Sequence, residues 1–184
     1  MLVVADDKQL PVQDARAGKP DAWDTLFRRY QMPLYVYVFE LVHHEQTSLD
    51  IVQETFINAV RHIGSLQKDE KFGSWLFSIA HQKCIQHWRR RRESEVPIEE
   101  QQENDLYYED GPEALLIRKE EEEQFMALMN QLPLAHRSVL LLHFVEEFSL
   151  EEIAGITGTQ IGTVKSRIHY AKKALRKLIE ERTS

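Results

Sequence analysis

The residues best equipped for chemistry fall into a few clusters whose spacing is open to direct reading. Near the C-terminus, Thr163, Lys165, Ser166, Arg167, His169, Tyr170 and Lys173 place hydroxyls, cations and ring donors in one stretch at helical intervals. Lysine can bond guanine acceptors, serine and threonine can bond base edges or phosphate, and cations gain affinity for nucleic acid by releasing counterions. Asp50, Gln53 and Glu54 recur at three and four residues, a polar ridge suited either to charge-assisted bonds or to solvent. His81, Cys84 and His87 also lie three apart, which could place a thiol beside a base. No oxyanion-hole element, orienting third group or Gly-rich phosphate loop accompanies them, and a cysteine on an apolar helix face reads as core. His43, His44 and Glu45 are metal-ligating types, but adjacent helical residues point apart. No catalytic residue, cofactor or metal site is assigned, and a binding protein is expected rather than an enzyme.

The elements that must hold these clusters read as helices. Trp23, Leu26, Phe27, Tyr30, Leu34, Val38 and Leu41 recur at helical spacing, with Pro33 expected to start or kink a segment within the pattern. Leu49, Val52, Phe56, Val60 and Ile63 repeat the period, with Asp50 expected near a helix start and Gly64 closing it. After a polar loop, Phe72, Trp75, Leu76, Ile79 and Ile85 predict a helix that ends in the run Arg89 to Arg92. Further on, Ser149 with Glu152 three residues later reads as a capping box, and Gly158 ends that helix after about two turns. Val164, Ile168, Ala171, Leu175 and Leu178 then form one apolar stripe. A short helix, a glycine turn and a second helix with a polar, basic outer face make a helix-turn-helix arrangement.

Charge divides the chain into blocks. The net charge of -7 is unusual for a nucleic-acid binder, but it is unevenly spread. Residues 1 to 92 carry 13 Lys+Arg against 11 Asp+Glu, residues 93 to 131 carry 2 against 13, and residues 132 to 184 carry 8 against 6. From residue 160 onward there are seven cations against two glutamates. The stretch from Glu93 to Glu113, with Pro97, Gly111 and Pro112, reads as an acidic, flexible linker, either a solvated tether or a mimic of nucleic acid. The expected fold class is all-α: two small helical domains, residues 1–92 and 120–184, joined by the linker 93–119. Cys84 is the single cysteine, so no internal disulfide forms. No signal peptide or membrane-length apolar run is evident, so a soluble, cytoplasmic protein without direct membrane insertion is expected.

At this point the motifs resemble a known family. Glu152-Ile153-Ala154 followed by Gly162-Thr163-Val164-Lys165-Ser166-Arg167-Ile168, entered through Leu132-Pro133 and Arg137, is similar to region four of the extracytoplasmic-function sigma factors of the sigma-70 family. Leu26-Phe27-Arg28-Arg29-Tyr30, the block Asp50 to Phe56, and Phe72-Gly73-Ser74-Trp75-Leu76 resemble successive blocks of region two. The resemblance implies a sigma factor that binds core RNA polymerase and directs promoter-specific initiation. Asp50, Gln53, Glu54 and Phe56 would then dock on polymerase. Lys68, Lys71, Trp75, Gln82, Lys83 and Trp88 would contact the minus-ten element and the melted non-template strand, although Trp75 also fits plain core packing. Thr163, Lys165, Ser166, Arg167, His169, Tyr170 and Lys173 would read the duplex minus-thirty-five element. The family also implies an anti-sigma factor as partner. Gln82 stands where relatives often carry Asn, and Gln160-Ile161 where a Pro commonly precedes Gly-Thr-Val, so the promoter sequence does not transfer. An autonomous helix-turn-helix regulator is the alternative, and it leaves the Asp50 to Phe56 block without a role.

Overall fold

The computed structural model describes residues 10–94 and 125–183, and its described residues are helical with no strand among them. The expected tether 93–119 lies almost wholly outside them. In the first bundle, α1 (Val12–Arg16), α2 (Pro20–Val42), α3 (Glu45–His62) and α4 (Phe72–Ser94) share one core. Pro20 opens α2 at a position where its missing N–H costs nothing. Pro33 lies inside α2, which runs on through it, so it neither starts nor ends a segment. The inner face of α2, Leu26, Tyr30, Leu34, Tyr37, Val38 and Leu41, is fully buried.

The histidine pair falls between helices. His43 ends α2 in the left-handed region, and His44 caps α3, its Nδ1 accepting from the Thr47 N–H at 3.2 Å. The α3 helix therefore begins at Glu45, a full turn before Asp50, so Asp50 sits in the helix body and not at the start expected for it. Past His62 the chain tightens through Ile63–Ser65 and Asp69–Lys71 before α4. Arg16 reaches this loop, donating to the Leu66 carbonyl and pairing with Asp69 at 3.0 Å.

The second bundle holds a helical stretch at residues 125–129 (α5), then α6 (Leu134–Leu140), α7 (Leu150–Thr157) and α8 (Ile161–Thr183). Beyond α6 the helix widens into a π turn over Leu141–Val145, with the Glu146 N–H bonded to the Leu141 carbonyl at 3.1 Å. Glu147 then adopts a φ of 58°, which turns Phe148 inward and leads into the Ser149 cap. The capping box is complete: Ser149 Oγ accepts from the Glu152 N–H, and the Glu152 carboxylate accepts from the Ser149 N–H at 3.0 Å. The α4 helix packs along α7, so the two bundles meet face to face.

Gly158 ends α7 at a φ of 62°, and a Cβ added there would meet nothing within 4 Å. The cost of Gly158→Ala is therefore conformational alone, about 1 kcal/mol. Urea unfolding should show that loss with an unchanged m-value.

Candidate nucleic-acid interface and docking groove

The α8 helix begins immediately behind the Gly158 turn, and Val164, Ile168, Ala171 and Leu175 seat it on the second bundle's core. That seat leaves Lys165, Ser166, His169, Tyr170 and Lys173 exposed, with Tyr170 58% accessible and Thr163 half-buried. Ser166 Oγ donates back to the Thr163 carbonyl at 2.9 Å. Arg167 differs from this set. It is half-buried, and its charge acts on His81 of α4, so it lies toward the other bundle.

The six residues expected to contact the minus-ten element are scattered in role. Lys68 and Gln82 are exposed. Lys71 bonds the Glu152 carboxylate on α7 at 2.9 Å, across the seam between bundles. Lys83 bonds Glu54 of α3 at 2.7 Å, joining a residue of the minus-ten set to one of the polymerase set. Trp75 is half-buried against Phe72 at a ring separation of 5.8 Å. Trp88 donates its Nε1–H to the Leu41 carbonyl at 2.9 Å, with the Arg91 guanidinium 5.3 Å over its ring. Trp88 thus ties α4 to α2, while Trp75 packs partly against the core.

Elsewhere on the first bundle, α2 and α3 line a groove of about 740 Å3. Phe27, Met32, Tyr35, Leu49, Val52, Phe56, Ile57 and Val60 line it, together with Gln31, Glu45 and Gln53. Met32 is 54% and Val60 51% exposed, a large uncovered apolar area on a small bundle. Phe56 is buried in the groove wall, its ring edge on Phe27 at 4.8 Å. Asp50 and Glu54 are exposed on α3, the helix that contributes Gln53 to the groove, and Gln46 donates to Asp50 at 3.0 Å. Leu49 and Val60, expected on a core-facing stripe, are exposed. The apolar stripe of α3 is wider than the core can cover. Helical periodicity does not mark Met32, Leu49, Ile57 and Val60 as binding residues, although the extra apolar Ile57 beside that stripe is a signal of the wider face.

The thiol reading dissolves in this geometry. Cys84 is fully buried, and burial pushes its thiol up to about 12. His81 bonds Tyr37 Oη at 2.8 Å through Nδ1, and burial, aided by Arg167, lowers its ring to about 4. Among the described residues no cluster of His, Cys, Asp and Glu could hold a metal, and no helix is long and apolar enough to cross a membrane. A thiol-disulfide reagent should leave Cys84 unmodified in native protein at pH 8 and titrate it fully in denaturant. Rapid native modification would contradict the buried placement.

Comparison with known proteins adds identity to this geometry. Residues 26–94 match the model described as Sigma-70 region 2, and residues 122–175 match Sigma-70, region 4. The chain is 34% identical over 188 residues to the RNA polymerase sigma-H factor of Pseudomonas aeruginosa, covering 98% of this chain and 97% of that one. It is 28% identical over 178 residues to the ECF RNA polymerase sigma factor SigW of Bacillus subtilis, covering 92% and 95%. Its fold is like that of the sigma factor RpoE from Bartonella quintana, solved with the anti-sigma factor NepR. The TM-score is 0.63 at 23% identity, over 85% of this chain and 97% of that one.

Proposed function

Since the chain belongs to the extracytoplasmic-function branch of the sigma-70 family of RNA polymerase sigma factors, a class of transcription initiation factors, we propose how its surfaces divide promoter-specific initiation between them. The groove between α2 and α3, with Asp50, Gln53, Glu54 and Phe56, docks on core RNA polymerase. An apolar ridge of the partner fills the groove while the carboxylates and Gln53 fix its orientation. Lys68, Lys71, Trp75, Gln82, Lys83 and Trp88 serve the minus-ten element and the melted non-template strand. Stacking and phosphate pairing are interactions single strands accept from any such surface. The exposed face of α8, from Thr163 to Lys173, enters the major groove of the minus-thirty-five element. Residues 1–92 and 120–184 are the corresponding domains and 93–119 the tether. The protein acts in the cytoplasm and performs no catalysis of its own, and an anti-sigma factor is a further partner.

The observation that carries this reading is the exposed apolar groove beside the acidic ridge. An autonomous helix-turn-helix regulator, binding duplex DNA through α8 alone, has no use for it.

Binding to purified core polymerase, followed by run-off transcription on genomic fragments, tests the division. Val60→Asp places a charge in the groove at an exposed position, so folding should persist while core affinity falls about tenfold or more. Lys165→Ala should leave core affinity unchanged and weaken initiation roughly fivefold or more by removing a DNA contact. Loss of core binding in Lys165→Ala, or full core binding by Val60→Asp, would contradict it.

A further inference from the structure

Several side-chain contacts among the described residues help close the seam between the bundles. Lys71 pairs with Glu152 at 2.9 Å, and Phe148 packs edge-on against Phe77 at 5.1 Å. Arg137 of α6 bonds the His43 ring at 2.7 Å and the Asn130 side chain at 2.9 Å, and its charge also acts on Glu40. Two residues before Phe148 stands Glu146, 2% exposed, both of its carboxyl oxygens lacking a hydrogen-bond partner among the described residues. Part of its surroundings belongs to the first bundle. Its charge is felt by Tyr37 on α2, and Phe148, two residues on, sits against α4. A carboxyl buried without a partner is costly when ionised and tolerable only when protonated. Separation of the bundles returns it to water.

We propose that the two bundles form a self-closed pair in which Glu146 is the proton-sensitive release element, so that opening of the seam is coupled to ionisation of its carboxyl. The inference concerns the chain alone and goes beyond the promoter reading.

The sign follows from the groups at the seam. In the closed form burial raises Glu146 from its ordinary carboxylate range to about 8. Opening therefore releases a proton across the interval between those values, and the closed form weakens as pH rises through it. Tyr37 faces Glu146 from α2, with Cys84 and His81 beside it from α4. Burial, then Cys84 and Glu146, push the Tyr37 phenol well above its usual value, and the Cys84 thiol lies at about 12. Neither changes charge near neutrality. His81, faced by Arg167 of α8, and His43, faced by Arg137 of α6, are both lowered to about 4, chiefly by burial. Their protonation opposes closure below their ordinary value of 6.5. Glu152, raised by burial but lowered more by its bonds to Lys71 and Ser149, stays ionised throughout. Above the ordinary histidine range the Glu146 carboxyl dominates, and the open-to-closed ratio rises on the order of fivefold between pH 7 and pH 8.5.

Small-angle X-ray scattering of the full chain reads the ratio without DNA or polymerase, so its failure and that of the promoter reading are distinguishable. The radius of gyration should rise from pH 7 to pH 8.5 in the parent protein and stay flat in Glu146→Gln, with circular dichroism confirming that both stay folded. Lys71→Ala, an exposed change that loosens the seam, supplies a sensitised background in which the same pair of curves should separate further. A pH-independent radius in both backgrounds, or a Glu146→Gln curve that follows the parent, overturns the proposal.

Discussion

The rest of the molecule depends on how much apolar surface α2 carries. One face, from Leu26 through Tyr30, Leu34 and Val38 to Leu41, is the inner wall of the first bundle and is fully covered by its neighbours. Such a run of buried aliphatic and aromatic side chains, each worth about 1.5–3 kcal/mol of transfer free energy, is ample to organise four helices. The same helix also carries Phe27, Met32 and Tyr35 on a second face, and α3 meets that face with Leu49, Ile57 and Val60. A bundle of this size cannot bury both. The uncovered remainder is the groove.

A similar tension sets the seam. The α4 helix has apolar residues pointing into its own bundle and, through Phe77, toward α7. Phe148 reaches Phe77 because the π turn after α6 and the left-handed Glu147 swing the chain inward. That swing also carries Glu146 under cover. The aromatic contact and the orphaned carboxyl are products of one backbone manoeuvre, so the favourable and the unfavourable parts of the closure arise together. The ion pair at the rim, Lys71 with Glu152, is half-exposed and contributes at most about 1 kcal/mol, enough to shift a finely balanced closure several-fold. The balance between the bundles is accordingly fine.

Much of this was legible in the sequence, for reasons visible residue by residue. The capping box at Ser149 and Glu152, the turn at Gly158 and the stripe from Val164 to Leu175 are local signals, and each is found where its chemistry places it. The all-α class followed from helical periodicity in the same way. What periodicity does not report is which of two adjacent stripes a bundle has room to cover. Leu49 and Val60 therefore read as core but line a groove. Nor does it report contacts between residues far apart in sequence. The Lys83–Glu54 pair links two clusters that read separately, and Arg167 faces α4 although its neighbours Lys165 and Ser166 face outward. His43 and His44 read from the sequence as residues of one helix, whereas a left-handed joint separates them into a C-cap and an N-cap.

Those cross-links bear on how such a protein can be both restrained and competent. Lys71 and Lys83 are cations suited to phosphate, and each rests on a carboxylate of its own chain, Glu152 and Glu54. An acidic partner on the same molecule occupies a basic residue at local concentrations that a free polyanion cannot match until it offers several contacts at once. A nucleic acid that met both α4 and α8 would offer several, whereas one meeting only one surface would not. Intramolecular pairing thus discriminates against weak, single-site encounters while conceding to a ligand that engages both bundles, and it does so without any residue being reserved for inhibition alone.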